Sequence, residues 1–389
     1  MTGPSATSTT TSSDAFLSGQ GISVDLHDIE TELLRLWGPA AEHAGGPDLE
    51  QPHVTRIVLA NLVVLARQGS ADPARLRDAL DTVVAVYPSR TIVVSRTEEP
   101  GRTLAAEVSA LCHLPAPGMP QVCSERILLR AGPNATDLLP GAIRPLLEAN
   151  LPFVLWWTDD PRQDEALFRD LGDECSRLIL DLPDPGTEPA AIRLGLDPRV
   201  CRYSRDSAWF GLARWRELVA QFFDPPCHTE TLRRIDSVTI EAQAPGADAP
   251  PRLALWFAAW MAGQLGWQGE GQPERSGGRL KATFRGPAGL VAVEIQTEAT
   301  PGLEVAQLSG MTLTTKAPEG AETFRLRRQS PGSPEVRVEI DSPDYCTLPR
   351  VVLVPELDPP RRVAAALESS RNDPPFRKAL PHALWLMGK

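Results

Sequence analysis

Hydrophobic positions in the first half of the chain alternate between apolar runs and helical spacing. Residues 28–37 place Ile29, Leu33 and Leu36 on one face, which predicts an amphipathic helix. In the same half of the chain, the predicted strands are residues 54–66, 91–95, 104–114, 122–130, 151–157 and 177–182. The other predicted helices are residues 73–86, 136–149 and 161–171. Runs that are apolar on both faces and joined by helices are typical of a buried, mostly parallel sheet.

The pattern changes after a helix predicted at residues 207–223. A strand at 238–242 and a Trp-rich helix at 253–265 precede a series of strands between residues 280 and 354, and helices are expected from residue 361. Apolar and basic side chains alternate with period two around residues 324–338, which indicates an antiparallel sheet with one solvent-exposed face. The predicted fold class is an α/β N-terminal domain with a mostly parallel or mixed sheet, followed by a smaller α+β domain with an antiparallel sheet and C-terminal helices.

The length of the chain also supports two domains, because 389 residues are more than usually fold around a single hydrophobic core. We predict a flexible polar tail at residues 1–20, an α/β domain at 21–235 and an α+β domain at 236–389. The apolar fraction of 42% and the charged fraction of 23% are those of a folded globular chain.

Charge and hydropathy limit the classes of partner and the location that we expect for the protein. A net charge of -11 argues against nucleic acid and anionic membranes as main partners. The chain has no apolar run near the roughly 18 residues of a membrane span, and its start, MTGPSATSTTTSSD, lacks the features of a secretion signal. Six widely spaced cysteines form no framework of the secreted kind. We therefore expect a cytoplasmic protein.

Common catalytic signatures are missing from the sequence. It contains no phosphate-binding Gly-rich loop, no dinucleotide fingerprint, no paired CxxC, no HExxH and no nucleophile elbow. We accordingly predict no catalytic residue, no cofactor and no metal, and expect a protein that acts by binding another protein.

The acidic turn at Asp159 and Asp160 follows a predicted strand and has two interpretations. Two carboxylates at the carboxyl end of a strand can hold Mg²⁺, orient a sugar hydroxyl or contact a partner. Asp160 followed by Pro161 is also the pairing typical of a helix cap and the first helical residue.

The cysteines allow two further hypotheses. Cys112, His113 and Cys123 offer three zinc ligands, supplemented at best by Cys227-His228, but their spacing matches no common zinc site. Cys112 and Cys123 lie on neighbouring predicted strands, so they are candidate redox cysteines, as is Cys346. Buried structural thiols are the alternative.

Basic residues on one predicted strand suggest a contact surface. Arg325, Arg327 and Arg328, with Lys281 and Arg285, could form a patch for an acidic partner or a phosphorylated ligand. A solvated sheet face would account for them equally well.

Three segments carry a resemblance to a known family: YPSRTIVVSR at residues 87–96, QVCSERILLRAGP at 121–133 and NLPFVLWWTDDPRQDEALFRDLGDECSRLILDL at 150–182. They resemble the corresponding strands and turns of the bacterial glucose-6-phosphate dehydrogenase assembly proteins, the OpcA family. The Trp-rich helix and the later strands resemble the C-terminal part of the same family more loosely.

The resemblance implies a non-catalytic accessory protein that binds glucose-6-phosphate dehydrogenase, promotes its active oligomer and allosterically activates it in the oxidative pentose phosphate pathway. It also implies redox regulation, with thioredoxin as a further partner. Only Cys346 lies in the last hundred residues, so a C-terminal switch between two cysteines is not expected here.

Two other classes of function compete with this hypothesis. One is a sugar-phosphate or nucleotide sensor whose ligand lies near Asp159 and Asp160. The other is a hydrolase or transferase that uses the same acidic turn with a metal ion.

Overall fold

The chain forms two compact units in a computed structural model, which describes residues 19–43, 54–66, 73–97, 101–114, 121–184, 188–225, 230–316, 320–343, 348–370 and 372–388. The first unit comprises residues 1–182, 194–205 and 363–369, and the second comprises 183–193, 206–362 and 370–389. The chain therefore passes between the units several times.

A nine-stranded mixed sheet forms the centre of the first part of the chain, with strand order β1-β5-β6-β4-β3-β7-β8-β9 and β2 paired to β6. The strands are β1 (Ile22–Val24), β2 (Val54–Arg56), β3 (Asn61–Leu65), β4 (Arg90–Arg96), β5 (Leu104–His113), β6 (Gln121–Ala131), β7 (Phe153–Trp157), β8 (Arg177–Leu180) and β9 (Ser204–Asp206). The helices are α1 (Ile29–His43), α2 (Pro73–Val86), α3 (Leu139–Ile143), α4 (Glu165–Glu174) and α5 (Pro189–Gly195).

The central strands confirm the predicted α/β arrangement. Strand β3 pairs in parallel with β4 and β7, and every residue of β3 and β7 is buried. Four predicted elements are divided, and two of them, the helices expected at residues 161–171 and 207–223, begin as a 3-10 segment before the α-helix. The strand expected at residues 54–66 is interrupted between Arg56 and Asn61, where β2 pairs with β6 and β3 with β4.

The helix expected at residues 136–149 is also divided. It consists of a 3-10 turn (Thr136–Leu138), the short α3 and another 3-10 turn (Arg144–Leu146), with Pro140 and Pro145 inside it. Proline lacks the N–H that a continuous α-helix needs and clashes with the preceding turn, so the segment cannot propagate as one helix.

The acidic turn after β7 begins the next helical segment. The Asp160 carboxylate accepts a hydrogen bond from the Arg162 backbone N–H at 2.9 Å, and Pro161 opens a 3-10 turn (Pro161–Asp164) that leads into α4. The Arg162 guanidinium also donates to Asp160, and these bonds lower the pKa of the Asp160 carboxyl despite its partial burial. Asp160 is thus the N-cap of the turn.

An eight-stranded sheet forms the centre of the second unit, in the order β11-β12-β13-β10-β14-β15-β16-β17. All neighbouring strands are antiparallel except β10 and β13, which confirms the predicted α+β part of the fold. The strands are β10 (Ile235–Ala244), β11 (Gln268–Ser276), β12 (Arg279–Gly286), β13 (Gly289–Ala299), β14 (Gln307–Thr315), β15 (Glu322–Arg328), β16 (Glu335–Asp341) and β17 (Arg350–Leu353). The helices are α6 (Ala213–Phe222), α7 (Arg252–Leu265), α8 (Pro359–Glu368) and α9 (Pro374–Met387).

Helices α7 and α9 cover one face of this second sheet. The Trp385 ring of α9 lies 5.0 Å from the Phe284 ring of β12, and Trp256 of α7 stacks on Phe376 at 4.8 Å. The two helices cross closely at Gly263, where an added Cβ would lie 2.6 Å from the Lys378 carbonyl oxygen. Only glycine allows this approach, which lets both helices pack on the same side.

Helix α7 is held by a fully buried carboxylate. Asp206 accepts hydrogen bonds from Arg252 Nε and Trp256 Nε1, each at 3.0 Å, and from the Ala208 backbone N–H at 3.0 Å. A second buried carboxylate, that of Asp184, accepts from the Arg252 backbone N–H at the start of the helix. Buried charges are tolerated only when paired in this way.

Within the described residues, no helix has the length and apolar character needed to cross a membrane.

We expect Asp160→Ala to lower the free energy of unfolding by about 0.5–2 kcal/mol at pH 7, because a helix cap is lost. A carboxyl whose folded pKa is depressed stabilises the fold above its unfolded pKa of about 3.9, and this contribution disappears as the pH falls through the folded pKa. The free energies of unfolding of the unmodified protein and of Asp160→Ala, measured by urea titration, should therefore differ at neutral pH and converge at acidic pH. Asp160→Asn, which keeps a hydrogen-bond acceptor, is the matched control. Equal losses of unfolding free energy in both variants would contradict the role of Asp160 as the N-cap.

We expect Asp206→Ala to cost up to about 3–5 kcal/mol, because Arg252 Nε and Trp256 Nε1 lose their buried acceptor and Asp184, 4.0 Å from the guanidinium, is the carboxylate that remains. Tryptophan fluorescence during denaturant unfolding measures this cost. Glu217→Ala in the same unit removes the exposed pair with Arg214 and should cost less than about 1 kcal/mol. Similar unfolding midpoints for the two variants would show that Asp206 does not anchor the helix.

Candidate interaction surface

The face of the second sheet opposite α7 and α9 carries polar side chains in continuous cross-strand rows. The strand registers place one row across six strands, consisting of Lys281, Glu294, Thr239, Thr312, Arg325 and Glu339. The neighbouring row consists of Arg279, Gln296, Glu241, Gly310, Arg327, Arg337 and Val351. We call this surface the open face.

The burial pattern shows why one face is polar. In β15, Phe324 and Leu326 are buried against the helices, whereas Arg325 and Arg327 between them retain solvent exposure. Six strand spacings of about 4.8 Å and about seven residues of about 3.3 Å per strand give a face of roughly 670 Å². Standard protein interfaces bury about 600–1,000 Å² per partner, so the open face is large enough for one.

Positive charge is concentrated near one edge of the open face. Arg327 and Arg337 lie directly opposite each other in the register, and like charges in that position are destabilising. Arg337 pairs with Glu339 at 2.5 Å, and Arg325 lies 3.9 Å from Asp341. Arg327 makes no ion pair with any described residue. An acidic group from outside would relieve this repulsion.

Apolar side chains adjoin these arginines on the edge strand β17. Val351 is opposite Arg337 and Leu353 is opposite Glu335, and their exposed fractions are 53% and 62%. We call Arg327, Arg337, Val351 and Leu353 together the edge patch. Apolar groups beside arginines are typical of the energetically dominant positions in protein interfaces.

The structure corrects part of the predicted basic patch. The Arg328 side chain is 1% exposed and faces the helices, where it bonds to the Leu308 carbonyl at 3.0 Å and lies 3.4 Å from Glu356. Position 328 has the same parity as Phe324 and Leu326, so strict period-two counting places it on the buried face. Arg328 is therefore not a surface contact.

Lys281 and Arg285 do not join Arg325 and Arg327 in one patch. They lie on β12, four strand spacings or roughly 19 Å from β15. Arg285 is paired with Glu270 through two bonds of 2.9 Å. The sequence could not show this separation, because the strand order is not the chain order.

The predicted acidic turn belongs to the first unit, and its residues are not part of the open face. Asp159 is 9% exposed and its Oδ1 accepts the Asp160 backbone N–H at 2.8 Å. The Asp160 carboxylate is engaged by Arg162, as described above. Both groups serve the local turn, and a role in partner binding stays a prediction.

The candidate redox cysteines have different outcomes. Cys112 and Cys123 are directly opposite in β5 and β6, with their Cα atoms 4.1 Å apart, and form a disulfide. Because they are bonded to each other, neither offers a thiolate to zinc, which removes the basis for the zinc hypothesis. Cys346 and Cys227-His228 lie outside the described residues.

One group of described side chains has the composition of a metal site. Asp25, His27 and Asp28 each bring a ligand atom within 4.8 Å of the others, but all three are exposed. An exposed acidic cluster of this kind carries no functional conclusion.

Sequence reasoning missed Arg337, Val351 and Leu353 as candidate contact residues. Arg337 alternates with Val336 and Val338, so the period-two pattern already assigns it to the solvent-exposed face, although not to the contact residues. No local signal distinguishes Val351 and Leu353 from core residues, because their exposure depends on β17 being an edge strand.

Comparisons with known proteins place the chain in a family. Residues 81–194 match the glucose-6-phosphate dehydrogenase subunit N-terminal domain of the OpcA assembly family, and residues 202–380 match its C-terminal domain. A protein of Synechococcus elongatus, named as a proposed OxPP cycle protein OpcA, is 29% identical over 62% of this chain and 55% of its own length. The identically named protein of Nostoc punctiforme is 32% identical over 51% of this chain and 42% of its own length. The matches thus span about half the length of these curated relatives.

Solved structures with some likeness include oxidoreductases. A mutant of KijD10, a 3-ketoreductase from Actinomadura kijaniata, has a TM-score of 0.45 at 12% identity, covering 84% of this chain and 95% of its own. A glucose-6-phosphate dehydrogenase bound to its substrate has a TM-score of 0.39 at 9% identity, covering 85% of this chain and 87% of its own. Likenesses this weak carry no argument about function.

The two family matches follow each other in order, and together they include strands β4 to β8 of the first sheet, the acidic turn and the whole second sheet with its open face. The chain belongs to the OpcA family of glucose-6-phosphate dehydrogenase assembly proteins.

Proposed function

We propose that this protein is a non-catalytic accessory subunit that binds glucose-6-phosphate dehydrogenase through the open face, promotes its active oligomer and raises its activity. Family membership supports the identity of the partner. The single structural observation that supports a binding role is the eight-stranded sheet whose open face presents Arg327, which has no ion pair among the described residues, beside exposed Val351 and Leu353.

The edge patch favours an acidic, partly apolar counterpart on the dehydrogenase. Arginine forms bidentate bonds with carboxylates and packs its planar group on apolar surfaces. An incoming carboxylate between Arg327 and Arg337 would exchange a like-charge contact for an attractive one. Exposed Val351 and Leu353 would add apolar burial, worth about 25 cal/mol per Å² removed from water.

Activation requires more than tight binding. An accessory protein shifts an assembly equilibrium only by binding one state of the enzyme better than another. We therefore propose that the open face recognises a surface that exists, or is correctly shaped, only in the active oligomer.

Redox control and location are further parts of the proposal. We propose a cytoplasmic protein in which the Cys112–Cys123 pair, rather than a C-terminal pair, is the group that thioredoxin would reduce. Disulfides that persist in a reducing compartment are commonly regulatory, which is why the activation experiment includes both redox conditions.

Adding the protein to its cognate dehydrogenase should raise enzyme activity saturably and increase the enzyme's mass in light scattering. Both readouts should share one midpoint, because a single binding event drives them. The isolated protein should oxidise no glucose 6-phosphate. If stoichiometric amounts change neither mass nor kinetics under reducing and oxidising conditions, the proposal fails.

The double variant Arg327→Glu/Arg337→Glu should weaken binding roughly tenfold or more, a loss of about 1.4 kcal/mol or greater, because attraction becomes repulsion. Titration by light scattering or calorimetry at two salt concentrations measures the change. The control is Arg214→Glu/Arg233→Glu, which makes the same change in net charge at two exposed arginines of the second unit that lie on helical segments outside the open face. Equal weakening by both double variants would indicate nonspecific electrostatics and exclude the edge patch as the contact.

A further inference from the structure

A polar cavity in the first unit is lined by residues outside the open face, and Cys112 of the disulfide is the one lining residue that the proposed function already uses. It has a volume of about 260 Å³ and lies where α2 packs near β5 and β6. Its lining residues are Gly19, Arg77, Asp81, Ala110, Leu111, Cys112, Gln121 and Arg126.

Arg126 is fixed at the wall of this cavity. Its Nε donates to Ser109 Oγ at 2.8 Å, and another guanidinium nitrogen donates to the Gly19 carbonyl at 3.1 Å. A guanidinium has five N–H donors, so these two bonds orient the group and leave donors for a ligand. The side chain is therefore preorganised rather than mobile.

The cavity carries excess positive charge. Arg77 and Arg126 contribute two guanidinium groups, and Asp81 contributes one carboxylate. Burial and the neighbouring Arg77 charge lower the pKa of Arg126, and Asp81 only partly offsets this. Glu107, which also acts on Arg126, is bonded to Arg130, and Asp78 acts on Asp81 from the same helix. Arg77 forms no salt bridge within the described part of the chain, so among the side chains that line the cavity two guanidinium groups stand against one carboxylate.

We propose that this cavity binds a phosphate monoester of a small polyol, held by Arg77 and Arg126 at the phosphate and by Asp81 and Gln121 at the hydroxyl groups. Arginine pairs suit phosphate, and a carboxylate beside an amide suits hydroxyl groups. Typical ligand cavities measure about 300–1,000 Å³, so a volume just below that range favours a sugar phosphate over a dinucleotide.

This location differs from that of the competing sensor hypothesis, which places a sugar phosphate or nucleotide near Asp159 and Asp160. The carboxylates of Asp159 and Asp160 serve the turn before α4. With a net charge of -11, the chain does not attract anions generally, so binding here would depend on the local arginines.

Thermal unfolding and calorimetric titration of the isolated chain test the proposal, with inorganic phosphate, glycerol 3-phosphate, glucose 6-phosphate and glucose as probes at constant ionic strength. We expect saturable stabilisation by the phosphate esters, weaker binding of inorganic phosphate and none of glucose. Because no dehydrogenase is present, the outcome is independent of the accessory function proposed above.

Arg77→Ala should weaken binding of the phosphate esters roughly tenfold or more, since a charge-assisted contact is lost. Arg77 is exposed, so its removal should leave the fold intact. The matched control is Arg169→Ala, another exposed helical arginine four residues from an acid, which should change the affinity less than about twofold. Equal losses in the two variants, or no saturable binding of any phosphate probe, would overturn the proposal.

Discussion

The buried carboxylate of Asp206 is the interaction on which the second unit depends. Its bonds to Arg252 and Trp256 place α7 against one face of the eight-stranded sheet, and Gly263 lets α9 pack beside it. Both helices therefore occupy the same side. Because an antiparallel sheet can be stable with only one face packed on a hydrophobic core, the opposite face carries polar side chains and stays accessible to a partner.

The open face combines features that stability alone does not favour. Arg327 opposite Arg337 is a repulsive pair, and the exposed Val351 and Leu353 are unusual on an edge strand. An apolar edge strand promotes unwanted association unless it is covered. The partner-binding role proposed above accounts for both features by one cause.

The first unit is organised differently, around a mixed sheet with a disulfide between β5 and β6. Its carboxyl-end turn at Asp159 and Asp160, where an enzyme of this architecture would place chemistry, is engaged in capping. The polar cavity near Cys112 offers a separate place for a small anion. Protein binding and metabolite binding can thus reside in different units of one chain.

The sequence by itself determined most of the elements and the two fold classes. Periodicity predicted β7, α7 and the strands of the second sheet, because helix and strand periods are local properties. Three sequence segments between residues 87 and 182 indicated the family. Strict parity would also have placed Arg328 inside. Tertiary structure alone decided the strand order that separates Lys281 from Arg325, the edge position that exposes Val351, and the approach of Arg77 to Arg126. These relations join residues distant in the chain, and local patterns carry no information about which distant segments become neighbours.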